Sequence, residues 1–202
     1  MLSRSELRQE LDFLYDFYNH RKYVSPDPLE LLYRYPDRAD REVAALLASS
    51  FAYGRVRLIV KNSAFVLQQL GRSPAEFLRT VDEHRISGLF RGFRYRFTTG
   101  RQVRQLLLSL RSVVREHGSL YGFLEHELPR SGRGHSENVQ YLLKVLCERL
   151  TGGRYNSLIP DPQKGSACKR LHLFLKWMVR RDRIDPGGWD FIDCSELVVP
   201  LD

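Results

Sequence analysis

Apolar positions along the chain recur mostly at helical spacing. Ser3-x-x-Glu6 has the form of a capping box, and Leu7, Leu11 and Leu14 follow on one face, so a first helix is predicted to end near Asn19. Ser25-Pro26-Asp27-Pro28 interrupts the pattern, with both prolines expected to block a helix and Asp27 to turn the backbone through its own side chain. Residues 40–52, DREVAALLASSFA, are apolar almost all round, which places a helix in the middle of a core; Asp40-Arg41-Glu42 reads as its start with local ion pairs. After Gly54, the positions Val56, Ile59, Val60, Leu67 and Leu70 mark another helix that stops at Gly71. Ser73-Pro74-x-Glu76 opens a short helix with proline at its first position.

FRGFRYRF, residues 90–97, alternates aromatic and basic side chains and fits a strand or an extended loop. Such interleaving is used by single-strand binders, and equally by a packed connection with its arginines in water. Thr99 caps a long helix with Val103, Leu106, Leu107, Leu110 and Val114 inward. Further helices are predicted near 119–128 and 136–151, the second ended by Gly152-Gly153. RYNSLIPDPQKG then leads to a last helix over roughly 165–181, followed by a Pro-Gly-Gly turn and SELVVPLD. Seven or eight helices with little strand signal predict a single all-α domain, without a clear linker and with two lobes as an option.

Composition narrows the class of partner. The chain of 202 residues has 32 Lys and Arg against 24 Asp and Glu, a net charge of +8. A basic excess of this size favours a polyanion, because each neutralised phosphate releases condensed counterions. A membrane surface or an acidic protein remains the alternative. Three cysteines, Cys147, Cys168 and Cys194, are too few and odd in number for a disulfide framework, and suit a reducing, cytoplasmic setting. The charged N-terminus is unlike a signal peptide, and no apolar run approaches the roughly 18 residues of a membrane span. His20, His84, His117, His126, His135 and His172 show no metal spacing and read as surface residues or polar caps, so no metal or organic cofactor is expected.

The last helix, SACKRLHLFLKWMVRR, carries most of the candidate chemistry. Ala167, Leu171, Phe174, Leu175 and Met178 form an apolar stripe; Lys169, Lys176 and Arg180 lie opposite, with Arg170 and Arg181 on the flanks. Its start, announced by Lys164, Gly165 and Ser166, offers backbone N–H groups for a phosphate. Lys164, Gly165, Ser166, Arg170, Lys176 and Arg180 are therefore the candidate nucleic-acid contacts. A solvated basic face on a core helix would look the same.

Taken together, YNHRKYVSPDP, DREVAALLASSFAYGRV, SACKRLHLFLKWMVRRD and SELVVPLD resemble an uncharacterised family of bacterial proteins, a domain of unknown function, over nearly the whole chain. That family is similar in turn to the helix-hairpin-helix base-excision DNA glycosylases. Their hallmark is a hairpin feeding a helix with a catalytic lysine, and an aspartate after an apolar Val-Pro-like step. The resemblance implies Lys169 as nucleophile and Asp202 as its electrostatic partner, and the long interval between the two resembles the archaeal oxidised-guanine glycosylases. It also implies a fold truncated at its C-terminal end, since the family continues past VPLD. The hairpin departs from the Leu-Pro-Gly-x-Gly turn usual in glycosylases, because PDPQKGSACKR has the single Gly165.

A DNA glycosylase/AP lyase of this kind needs a partly deprotonated amine to form a Schiff base, a carboxylate to stabilise the cationic sugar, and a pocket for the flipped base. Arg170 stands beside Lys169 to lower its proton affinity. Phe51, Tyr53, Trp177 and Trp189 are candidates to stack on the base, with core packing the plain alternative. Two rival readings stay open: a non-enzymatic nucleic-acid-binding module of the same fold, and a helical protein-interaction domain with its basic residues spread evenly.

Overall fold

The computed structural model describes residues 3–128 and 135–200, with no side-chain description at 135–137. Among these residues the chain is mainly helical, as the periodicity predicts, with α1 Arg4–Tyr18, α2 Arg38–Ser50, α3 Val56–Leu70, α4 Pro74–Thr80, α5 Glu83–Gly88, α6 Gly100–His117, α7 Leu120–Glu127, α8 His135–Thr151 and α9 Lys169–Val179. No helix among them is long and apolar enough to cross a membrane.

Local chemistry sets most of the boundaries. Ser3 accepts from the Glu6 amide and Glu6 reaches back to Ser3 N, closing the box at α1. Asp37 caps α2, Ser73 caps α4 with Pro74 behind it, and Ser119 caps α7. Pro28, expected to block a helix, instead starts a 3-10 helix, Pro28–Arg34; Asp27 caps it by accepting from Leu29 N at 2.8 Å. Proline at a first helical position forfeits no bond, because that N–H has no intrahelical partner.

α2 is the centre of the molecule. Val43 through Ala48 are all but inaccessible, and the helix packs against α3, α4, α7, α9 and the 3-10 helix 28–34. α6 forms a second axis, with α4, α5, α7 and α8 around it. One contiguous core runs from Leu29 to Ile192. α1 contributes no buried side chain, and its Leu7, Leu11, Phe13 and Phe17 are exposed.

Residues 90–97 are partly a strand: Arg94–Tyr95 pairs antiparallel with Thr98–Thr99, as β1 and β2. Tyr95 is buried and Phe93 stacks on Phe65 at 5.7 Å, while Arg91, Arg94 and Arg96 face water. This is the packed-connection reading of the segment, with Phe97 alone of its aromatics well exposed.

The last helix is shorter than predicted. It begins at Lys169, because Gly165 and Cys168 both take left-handed backbone, and Cys168 stands at the N-cap. It ends at Val179, where Arg180 turns extended and the chain doubles back: Asp182 N bonds to Asp185 O, and Arg181 pairs with Pro186. Ala167, placed in its apolar stripe, lies before the helix and is exposed, whereas His172, read as a surface residue, is buried.

Candidate functional site at the start of α9

Lys169 is the first residue of α9, so its side chain leaves the helix where the backbone N–H groups are uncompensated. It shares one face with His172, Leu173 and Lys176, at steps of three, four and seven residues. Leu197, Val198, Val199 and Pro200 pass across that face in extended form and close a groove of about 400 Å³. Asp202 lies outside the described residues, two positions beyond the groove wall that ends at Pro200.

Both walls are pinned. On the helix side, Arg170 donates from Nη1 to Ser50 O at 2.5 Å and from Nη2 to Ser157 O at 2.9 Å, with its guanidinium 5.1 Å from the Tyr53 ring centre. Burial lowers the Arg170 pKa from its ordinary value. Its fork thus joins α9 to the end of α2 and to the 152–168 connection. On the tail side, Gly187 N bonds to Trp177 O and Trp189 N to Met178 O. The Trp189 indole donates to Glu42 Oε1 at 2.9 Å and stands edge-on to Phe174. Further on, Asn138 donates to Glu196 Oε2 at 3.0 Å.

Glu42 is fully buried in α2 and also accepts from Tyr121 N at 3.1 Å, with Arg38 at 3.6 Å. Burial raises its pKa, against the Trp189 and Tyr121 hydrogen bonds and the Arg38 charge. Burial likewise lowers the His172 pKa, so the one imidazole on the groove face is neutral at pH 7.

The cationic face of α9 is divided. Lys169 stands at the exposed end. Lys176 sits 3.3 Å from Asp185, and Arg180 sits 2.8 Å from Asp182 and 3.5 Å from Asp185. Asp185 is nearly inaccessible, and burial raises its pKa while Lys176 opposes the rise. These acids come from the turn after the helix, so the helix-face pattern did not reveal them.

Lys164, Ser166 and Arg170 line a second pocket, of about 290 Å³, on the other side of the helix start. Exposed Tyr155 and Phe97 border it, with Asn156 and Ser157. Ser166 Oγ accepts from Cys168 N at 3.2 Å, and Gly165 forms the left-handed step between Lys164 and Ser166. Cys168 is buried and its thiol is pushed up by burial, which keeps it protonated and unreactive. Of the four aromatic candidates, Phe51, Trp177 and Trp189 are core residues. Tyr53 is half-buried, donates to Thr98 Oγ1 at 2.6 Å and stacks on Phe97 at 4.8 Å. Tyr155, the most exposed aromatic of the pocket, was missed by sequence reading because it sits in a loop without periodicity.

No curated protein and no solved structure matches the chain. A family model does match it, over residues 27–202, a span that takes in α2 through α9, Lys169 and Asp202 and leaves α1 outside. The chain therefore belongs to the family described as Protein of unknown function (DUF2400).

Proposed function

We propose that the protein binds DNA and acts on it as a base-excision glycosylase/AP lyase of helix-hairpin-helix type, with Lys169 as nucleophile and Asp202 as its partner. The observation that carries this reading is the groove between α9 and residues 197–200, which puts Lys169 opposite the chain segment leading into Asp202. Residues 197–200, far from Lys169 in sequence, thereby come to its side of the helix.

In this reading the Lys169 Nζ lone pair attacks the sugar C1′. The C1′–N bond electrons leave with the base, which takes up a proton, and opening of the sugar ring yields a protonated Schiff base. Asp202 stabilises the positive charge that develops on the sugar. The chemistry requires neither a metal nor an organic cofactor. Lys164 and the amides around Gly165 and Ser166 would meet phosphate beside the site. Arg170 holds the helix, through bonds to main-chain carbonyls, rather than the ligand.

Borohydride trapping tests the proposal. Duplex DNA with an abasic site or an oxidised guanine should give a reduced covalent adduct with the parent chain, none with Lys169→Gln, and much less with Asp202→Asn. An adduct that survives Lys169→Gln overturns the assignment. Salt-sensitive DNA binding without any adduct, from this chain and from one extended past Asp202, leaves a binding module.

A further inference from the structure

A further concavity lies away from α9. It has a volume of about 670 Å³, between α6, the end of α8 and the turn that follows. Five arginines line it: Arg101, Arg104 and Arg111 from α6, Arg149 from α8 and Arg154 from the turn. Glu83 is the one acid on the lining. The three α6 arginines fall at spacings of three and seven, hence on one stripe, roughly 15 Å long at 1.5 Å per residue. Arg149, which is paired with Glu116, and Arg154 face them from the other wall.

Like charges gathered on a concave surface repel one another and focus a positive potential outward. Part of this cluster is already oriented. Arg104 donates one N–H to Leu89 O at 3.2 Å and Arg111 donates Nε to Val81 O at 2.9 Å, so each guanidinium is held by one of its five N–H groups while lining the groove. Planar forks held in this way match phosphate oxygens. The groove also continues. Thr151 and Arg154 line both it and the pocket bordered by Phe97 and Tyr155, where Lys164 and Ser166 stand. A basic track running into exposed aromatic rings is the arrangement that follows a nucleic-acid strand, with phosphates along the track and bases over the rings.

We infer that the α6–α8 groove is a second binding site, for the phosphodiester backbone of a nucleic-acid strand, and that it leads the strand to the connection before α9. The inference rests on the nucleic-acid reading of the chain, not on the lyase chemistry. Phosphate recognition alone would also suit a small polyphosphate; the length of the stripe and its continuity with the aromatic pocket favour the strand.

The test is Arg101→Gln/Arg154→Gln, two exposed side chains outside the Lys169 groove. Fluorescence anisotropy with a labelled single-stranded oligonucleotide, over a salt series, should show the slope of log K against log salt reduced by about 1.4, and affinity at 0.1 M salt reduced about tenfold. The melting temperature should stay unchanged. An unaltered slope in a protein that binds the strand overturns the groove and leaves the nucleic-acid reading standing. No binding of the oligonucleotide or of duplex DNA by the parent chain overturns both. Binding of tripolyphosphate but not oligonucleotide, lost in the double variant, overturns the strand in favour of a small anion.

Discussion

Arg170 is the residue whose removal best separates a structural from a ligand-binding role. Arg170→Met keeps much of the side-chain volume and deletes every donor. The structure gives Arg170 two charge-assisted hydrogen bonds, to Ser50 O and Ser157 O, and a position over the Tyr53 ring. Each such bond contributes about 1.5–3 kcal/mol, and the cation–ring contact about 0.5–1 kcal/mol. The cost of burying the guanidinium offsets part of this. A net loss of about 3 kcal/mol is expected, since two nearly inaccessible residues, Ser50 and Ser157, are left with unmatched carbonyls. For a domain of this length that lowers Tm by about 6–12 °C. Arg170→Lys, able to reach one carbonyl, should recover about half. Thermal melts followed by circular dichroism, beside DNA affinity over a salt series, provide the measurement. A Tm within about 2 °C of the parent, together with a salt slope reduced by about 0.9, would mean that the side chain meets phosphate, and would refute the reasoning.

Glu42→Ala deprives the Trp189 indole and the Tyr121 amide of their acceptor and should cost about 3 kcal/mol in urea unfolding. Because burial raises the Glu42 pKa above its unfolded value of 4.5, the fold favours the protonated carboxyl. Its contribution is full below pH 4.5 and is lost as pH rises through the folded value, so Glu42→Gln should flatten that part of the stability profile above pH 4.5. Gly100→Ala should destabilise by about 1–3 kcal/mol in the same assay despite alanine's helix propensity, since a Cβ there would run into the main-chain carbonyl of Phe90. A chain lacking residues 1–18 should melt within about 2 °C of the parent and be more soluble, because α1 buries no side chain and exposes Leu7, Leu11 and Phe13; a larger drop would show that α1 is part of the core.

Where the chain carried its own local signal, sequence reading succeeded. The apolar run of α2, the box at Ser3, the cap at Thr99, and proline behind Ser73 each have a mechanism confined to a few residues. α5 escaped because six residues with a single buried side chain, Ile86, leave no periodicity. The start of α9 was misplaced because a non-glycine residue, Cys168, takes the left-handed conformation that Gly165 alone advertises. The candidate site was half legible. Lys169 stood out, but the acids that neutralise Lys176 and Arg180 arrive from a turn after the helix. The basic groove was invisible for a similar reason: its arginines are split between residues 101–111 and 149–154, and each set alone reads as a solvated helix face.

Glu42 gives the clearest view of how the fold builds the Lys169 groove. A charge inside an apolar run looked like a local ion pair near a helix start, and Glu42 does face Arg38, but its hydrogen-bond partner Trp189 lies 147 residues away. Through that bond the tail is referenced to α2. Through Arg170 and Ser50, α9 is referenced to the same helix. The two walls of the Lys169 groove are therefore both tied to α2, beside the tail's main-chain bonds to Trp177 and Met178 and the Arg170 bond to Ser157 in the 152–168 connection. A site held from a common element keeps its geometry only while both pins hold. Arg170→Met and Glu42→Ala should then each lower the yield of Schiff-base adduct at temperatures where both variants remain folded, although neither side chain belongs to the groove lining. Undiminished yields from both would show that the proposed chemistry does not need these two pins.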